Sequence, residues 1–564
     1  MRLISVIVLA SLLILLLLLG LFLLIPFPLA IFQNIVNSQV YLQRKSDGQF
    51  PTGTYMWSRL PATQYFHFYL WNVTNPDEVL YYGATPNLID VGPYTYAETE
   101  FKDFIEFRNN DNEIFYQNNK TWIFDKSKSC EYCNFEDVVT IANPSFMTLV
   151  SMQIQNPNPP IVLLVMNILS LLLGEQPLRT VSGSGLLFSG YSDPMIDLVN
   201  SQFTKVLMNI MGNPIELPDV PDGGFFPHYN HTCDGNYTIK TGKDNTDNTA
   251  LIQTWNDITH LPWWNSEQTR DIRNTGDGSF QKPGLKSTDK LKQFQSFACR
   301  TYDLEYEDKG DTVSGIPSLR FKIPDDTYDA IKNPGLRYEN PEQVDYFPAW
   351  PCGLNHTKQP NGNCAQVDCT QFDNFCSSCC AGSYVNNTYV FPPGIIPQRC
   401  LPGQMKLVPF GAFLSAPHFY GTPDVVSGSM IGMHPDKNKH APGNFLINPT
   451  TGSTIGGTFR MQFTVSIFNS PIWMLMSNSP NAMVPSFWLE LTVDTRQYAL
   501  NYIRFSVVTL PNVIMGVGIA LTAISIISGL IWLFFYCRRR KTDTPIMTPV
   551  RKIIKEKEIA WITE

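Results

Sequence analysis

The sequence predicts an α+β membrane-anchored chain, a mainly antiparallel sheet or barrel with short inserted helices, held between two transmembrane helices. Three observations carry that expectation. Long apolar segments at Leu3–Leu24 and Val513–Phe535 bracket the chain, with no third between them. Runs such as Thr458–Phe468 alternate apolar and polar residues, the period of a strand buried on one face. The strand–helix–strand rhythm of a parallel sheet is missing.

At about 1.5 Å per residue, each apolar segment reaches about 33 Å, enough to cross a hydrocarbon core. Arg2 precedes the first, and Arg538-Arg539-Arg540-Lys541 follows the second. Basic residues stay cytoplasmic, which puts both termini on that side. The expected division is a short N-terminus and first span in 1–25, a lumenal or extracellular ectodomain in 26–510, a second span in 511–535 and a cytoplasmic tail in 536–564. Ile25-Pro26-Phe27-Pro28-Leu29 offers no small-residue cleavage pair, so the first segment reads as an uncleaved anchor. In the second, Thr522, Ser525 and Ser528 can bond back to helix carbonyls. Gly516 and Ala520 give the spacing that lets helices approach, although lipid-facing small residues fit as well.

The net charge is −8, and the tail with Arg2 is positive, which leaves the ectodomain near −13. An acidic lumenal domain is a poor nucleic-acid binder, and that class is excluded. Of 12 cysteines only Cys537 lies at the cytoplasmic membrane edge, so the rest read as disulfides of an oxidising compartment. Glycosylation sequons begin at Asn72, Asn119, Asn230, Asn236, Asn355 and Asn386, all in the ectodomain.

Along the ectodomain, Phe459, Met461, Phe463, Val465 and Ile467 share one strand face, with Arg460, Gln462, Thr464 and Ser466 opposite. Ser486–Asp494 repeats the pattern, Leu319–Ile323 is a shorter candidate, and Tyr65–Trp71 is aromatic on both faces, as in a strand buried on both sides. From Ser129 to Leu178 there is no Lys, Arg or His, and Ile161–Leu173 is nearly all apolar. At about 20 Å that run is too short to cross a bilayer. It reads as a helix buried in the core; the alternative is a partly exposed surface that docks a partner or touches a membrane. Cys376-x-x-Cys379 and Cys130-x-x-Cys133 admit zinc or thiol chemistry, but the crowding of Cys352, Cys364, Cys369, Cys376, Cys379, Cys380 and Cys400 favours a disulfide-stapled loop region. No nucleophile elbow, His-Glu-x-x-His, phosphate loop or dinucleotide fingerprint is present. The sequence therefore assigns no catalytic residue, no metal and no cofactor, and an enzyme is not expected.

Several strings resemble the class B scavenger receptor family, which includes the fatty-acid translocase and the lysosomal integral membrane protein type two. Phe68-Tyr69-Leu70-Trp71-Asn72-Val73-Thr74-Asn75-Pro76 and Val91-Gly92-Pro93-Tyr94-Thr95-Tyr96 look like its opening signature. Arg179-Thr180-Val181, Gly190-Tyr191-Ser192-Asp193-Pro194, Asp234-Gly235-Asn236-Tyr237 and Thr241-Gly242-Lys243-Asp244 follow in order. Ala416-Pro417-His418-Phe419-Tyr420, Pro423-Asp424-Val425 and Asn448-Pro449-Thr450-Thr451-Gly452 complete the set.

The resemblance implies an antiparallel β-barrel with a helical bundle at its membrane-distal apex, about 143–205 here, and an apolar tunnel carrying fatty acid, sterol or phospholipid towards the membrane. The apex is where relatives take protein or lipoprotein ligands. Its Asn143–Leu173 part lacks the lysines of the scavenger branch and the histidine of the lysosomal branch, so neither ligand is transferred. Its candidate contact residues are Phe146, Leu149, Ile161, Leu164, Ile168 and Leu172, for an apolar lumenal or extracellular partner. The resemblance also implies a Cys299–Cys400 disulfide and palmitoylation of Cys537. The function expected is a lipid-binding receptor or transporter of the endolysosomal membrane, with the plasma membrane as alternative location. The runner-up is a trafficking receptor that escorts a soluble lumenal protein. A homo-oligomer is compatible with either.

Overall fold

The computed structural model describes residues 2–338 except 135, 156–159, 195, 198–200, 203–221 and 331; residue 346; the stretches 356–358, 364–366, 384–385, 388–389 and 391–400; residue 405; and residues 411–542. The Asn355 and Asn386 sequons and most of the Cys352–Cys380 cluster therefore lie outside the described residues. The chain forms two compact units, residues 1–34 with 508–564, and residues 35–507.

In the first unit, helix α1 (Arg2–Leu24) is followed by a π turn at Phe27–Ile31; helix α2 (Phe32–Val40) starts there, with most of its residues in the second unit. The C-terminal helix runs Leu510–Thr542, longer than the expected span, and carries Arg538–Lys541 as its last turns. Apolar helical stretches of 34 residues (Ile7–Val40) and 42 residues (Gln497–Arg538) are long enough to cross a membrane, and a helix satisfies its own backbone there. The close approach of the two helices is not made at Gly516, which has open space beside it, nor at the exposed Ala520. It is made at Gly20 and Gly518: a Cβ on Gly518 would meet the Leu23 and Leu24 side chains at 3.1 Å. Ser525, expected to bond its own helix, instead donates to Leu13 O across the pair at 2.6 Å. With no water to compete, an interhelical hydrogen bond is worth having, and the two glycines bring the backbones near enough to make it.

The second unit is built on a 13-stranded antiparallel sheet. Its strands are β1 (Ala62–Val73), β2 (Leu88–Arg108), β3 (Glu113–Phe124), β6 (Thr232–Lys240), β7 (Ile252–Trp255), β8 (Leu291–Gln295), β9 (Arg300–Asp308), β10 (Leu319–Lys322), β11 (Ile395–Pro397), β12 (Ala412–Ser415), β13 (Gly443–Ile447), β14 (Thr454–Ile467) and β15 (Ala482–Thr495). A separate hairpin pairs β4 (Val138–Ala142) with β5 (Leu178–Ser182). The main path runs β7-β6-β3-β2-β1-β15-β14-β13-β10-β9-β8, with β12 on β14 and β11 on β12. Strand pairing closes no barrel among the described residues, since β7 and β8 end the path. Between them, Thr275 bridges Ile252 of β7 and Gly276 bridges Gln293 of β8.

Two expectations change here. On β1, Phe66, Phe68 and Leu70 are buried on one face; on the other, Tyr65, His67 and Tyr69 are half-buried and Trp71 is buried, so the strand is covered on both sides only towards Trp71. On β14, Gln462, Thr464 and Ser466 are buried too. The Pro417–Phe419 turn covers that side: Gln462 Oε1 accepts from Trp71 Nε1 (3.3 Å) and from the His418 N–H (3.0 Å). Gln462 thus enters the core with its hydrogen bonds made, while Thr464 Oγ1 and Ser466 Oγ are buried without a partner.

Helices α3 (Pro144–Gln155) and α4 (Pro160–Leu172) lie in the basic-free stretch, between β4 and β5. The apical bundle expected over 143–205 is represented by these two; much of the remainder lies outside the described residues.

Candidate functional site

Helix α4 is not the core helix its apolarity suggested. Ile161, Leu164, Val165, Ile168, Leu171 and Leu172 are exposed, from 44% at Val165 to 77% at Leu172, and recur at the i, i+3, i+4, i+7 spacing of one helix face. The opposite face buries Asn167 and Ser170 and packs Leu163 and Met166 on the core. Asn167 explains the orientation: its Nδ2 donates to Ile472 O (3.3 Å) and its Oδ1 accepts from the Met474 N–H (3.0 Å). Turned outward, the helix would give up both bonds. Of the other residues singled out from sequence, Phe146 is fully buried edge-on to Trp473 at 5.8 Å, and Leu149 packs partly buried on the same core. The structure therefore puts four of the six on one apolar surface and two beneath it. Val165 and Leu171, which belong to that surface, follow from the helical period alone.

The inner face of the sheet carries what the sequence did not reveal. Strands β2 and β3 pair Glu98 with Trp122, Glu100 with Lys120 and Lys102 with Asn118, which puts four charged side chains on one buried face. Lys102 Nζ lies 2.9 Å from Glu100 and 3.8 Å from Asp277, and Lys120 Nζ lies 3.2 Å from Asp234 and 3.8 Å from Glu98. Ser296 Oγ donates to Asp234 at 2.9 Å. Burial would raise the Glu100 carboxyl, but Lys102 and Lys120 more than reverse that and hold it at about 2. For Glu98 burial prevails over Lys120 and pushes it up to about 8.

Next to this ionic cluster the interior turns aromatic. Phe66, Phe68, Trp122, Phe188, Phe226 and Phe297 surround a cavity of about 10 Å³ with Glu98 and Lys120 at its polar end. That is room for about one water molecule. Phe188 comes from the Gly185–Ser189 turn and Phe226 from the segment before β6, so side chains from outside the sheet fill its inside. Phe68 and Phe487 pack at 5.6 Å and Phe188 and Phe226 at 5.5 Å.

A third feature lies at the Ala416–Tyr420 motif. His418 and His440 stack at 4.0 Å; His418 Nδ1 accepts from the His434 N–H, and its Nε2 lies 3.3 Å from Asp90. Burial, with His418 beside it, lowers His440 to about 4.

Cys299 and Cys400 are joined in a disulfide, and so are Cys130 and Cys133. Trp263 and Trp264 both donate to Cys299 O, at 3.0 and 2.9 Å. Cys537 is a free, exposed thiol. Asn72, Asn119, Asn230 and Asn236 are half-buried. Among the described residues one group, His260, Glu267 and Asp271, has metal-ligand geometry, but Arg273 already binds Asp271 through two hydrogen bonds of 2.9 and 2.8 Å.

Two apolar helices long enough to span a membrane bracket, in the sequence, a disulfide-bonded, sheet-rich domain with an aromatic interior, the layout of a two-span membrane protein. Comparison makes that specific. The CD36 family profile matches residues 9–536, and the chain belongs to the CD36 family. It is 31% identical over 505 residues to an uncharacterized protein of Caenorhabditis elegans, covering 88% of this chain and 90% of that one. It is 27% identical to lysosome membrane protein 2 of Mus musculus (86% and 85% covered), and 24% identical to scavenger receptor class B member 1 of Bos taurus (89% and 85%).

Proposed function

We propose that this chain is a lipid-binding receptor or transporter of the endolysosomal membrane, with both termini cytoplasmic. It captures a fatty acid, sterol or phospholipid in its ectodomain and passes it through an apolar tunnel, inside a sheet curled into a barrel, to the bilayer. The observation that carries this reading is the aromatic-lined cavity around Phe66, Phe68, Phe188 and Phe226 in a two-span member of the CD36 family. An alkyl chain gains about 0.8 kcal/mol for each CH₂ it buries, so a lipid in transit must stay covered. The cavity has room for about one water, so a lipid enters only as the Phe188 turn and the Phe226 segment swing aside. The lysosomal relative supports the location; the scavenger-receptor relative supports the plasma membrane as the alternative. The test is transfer of a fluorescent lipid from a soluble carrier into vesicles holding the full chain. Several-fold faster transfer than into protein-free vesicles supports the reading; equal rates overturn it.

The exposed face of α4 favours a second reading, an escort receptor that docks a lumenal protein or a second copy of itself there. Leu164→Gln with Ile168→Gln would abolish such docking and leave lipid transfer unchanged.

A further inference from the structure

We infer that Glu98 and Trp122, with Lys120 beside them, seat the hydroxyl head of a lipid such as a sterol, a long-chain alcohol or an acylglycerol, and reject the carboxylate of a free fatty acid. This deepens the lipid-binding reading and rests on it. Buried polar atoms in folded proteins nearly always have hydrogen-bond partners, and orphans point to a missing water or ligand. Both carboxyl oxygens of Glu98, Trp122 Nε1, Tyr229 Oη and Asp234 Oδ1 are buried without a hydrogen bond of good geometry, although Trp122 faces Glu98 closely enough to act on its carboxyl. They lie together, because Glu98, Trp122 and Tyr229 line the cavity and Asp234 holds Lys120, which lines it too.

The set contains both kinds of atom. Glu98 and Asp234 offer acceptors, Trp122 offers a donor, and Tyr229 serves as either. A hydroxyl gives one hydrogen bond and accepts others, so it satisfies both kinds at once. An ammonium head would satisfy Glu98 but leave the Trp122 N–H orphaned and bring a cation against Lys120, itself 3.8 Å from Glu98. A carboxylate head meets a worse environment. Even with Glu98 protonated, Glu100, Asp234 and Asp277 outnumber Lys102 and Lys120, and another negative charge in this water-poor interior would be repelled. The rings of Phe66, Phe188 and Phe297 then form the wall along which an apolar tail would lie.

The test uses the full chain in phosphatidylcholine nanodiscs with two photoreactive probes sharing one tail, a hexadecanol and a hexadecanoic acid. Near neutral pH the alcohol should outbind the acid by about tenfold or more, as expected of a site built to hydrogen-bond a hydroxyl. Its crosslinks should fall on the Gly185–Ser189 turn and the segment around Phe226. Glu98, held at about 8, is largely protonated near neutral pH, so Glu98→Gln should keep the preference there, whereas above about pH 8 the natural chain should reject the acid more sharply than the variant does. Trp122→Phe keeps the ring and loses the donor; alcohol binding should drop about three- to tenfold with acid binding unchanged. Thermal unfolding of each variant checks the fold, and the conservative Trp122→Phe decides the matter if Glu98→Gln misfolds. Equal binding of the two probes, or alcohol binding indifferent to both substitutions, would overturn the inference and leave a buried water as the sole occupant. Crosslinking by neither probe inside the ectodomain would overturn the lipid-binding reading itself.

Discussion

Helix α4 and the strand pair β2–β3 depart from the ordinary amphipathic pattern in opposite directions. The helix exposes Ile161, Leu164 and Leu172 and hides Asn167 and Ser170; the strands hide Glu98, Glu100, Lys102 and Lys120 and leave Phe104 (73%) and Ile123 (64%) exposed. In both places the buried polar groups are tied down, by Asn167's hydrogen bonds to the Ile472–Met474 segment and by ion pairs of 2.9–4.0 Å within the sheet. The difference is on the other side. Two exposed apolar side chains on the strands are scattered, whereas six on one helix face are contiguous, the kind of surface that marks a contact site. The inverted strands organise the interior, and the inverted helix presents a surface.

The comparison can be broken most sharply at Lys120. Lys120→Met leaves Glu98, Glu100 and Asp234 with one fewer cation, and losing one partner of a buried ion cluster costs about 3–5 kcal/mol. Retention before glycan maturation, or a strongly lowered unfolding temperature, would be the readout. The Cys299–Cys400 bridge closes a sequence separation of 101 residues, and replacing both cysteines by serine should cost about 2–5 kcal/mol in thermal unfolding. Asn167→Leu comes next. It orphans the Met474 N–H, and a cost of about 1–3 kcal/mol is expected by chemical denaturation.

The smallest effect sharpens the contrast from the helix side. Leu164→Gln and Ile168→Gln should each change stability by less than about 0.5 kcal/mol, because neither is a core residue. A cost of several kcal/mol would mean that α4 is covered within the molecule. For pH, His440 titrates at about 4 in the fold against an ordinary 6.5. The unfolded chain then takes up a proton that the folded one refuses. Stability from this site is whole above about 6.5 and is lost as pH falls towards 4. Unfolding curves of His440→Gln should be flatter across that window than those of the natural chain.

Much of the fold was legible. The two spans follow from uninterrupted apolar runs, and β14 and β15 from strict alternation, because both patterns are local. The helix pairing was not, since Gly20 and Gly516 look alike in sequence and only the partner helix selects Gly20 with Gly518. The ionic interior was hidden for a related reason. Glu98, Glu100, Lys102 and Lys120 alternate as a solvated strand face would, and nothing local says that the sheet turns that face inward. For α4, apolarity suggested burial; Asn167 and Ser170, three apart, were the signal that its polar side is the packed one.

The most direct test of the lipid-binding account is mass spectrometry of lipids that co-purify, without detergent, with the ectodomain (residues 32–510) secreted from cells. A near-stoichiometric lipid in the purified ectodomain is the result expected, and its head group would also report on Glu98. An ectodomain that emerges empty and takes up no added sterol, alcohol or fatty acid would contradict it.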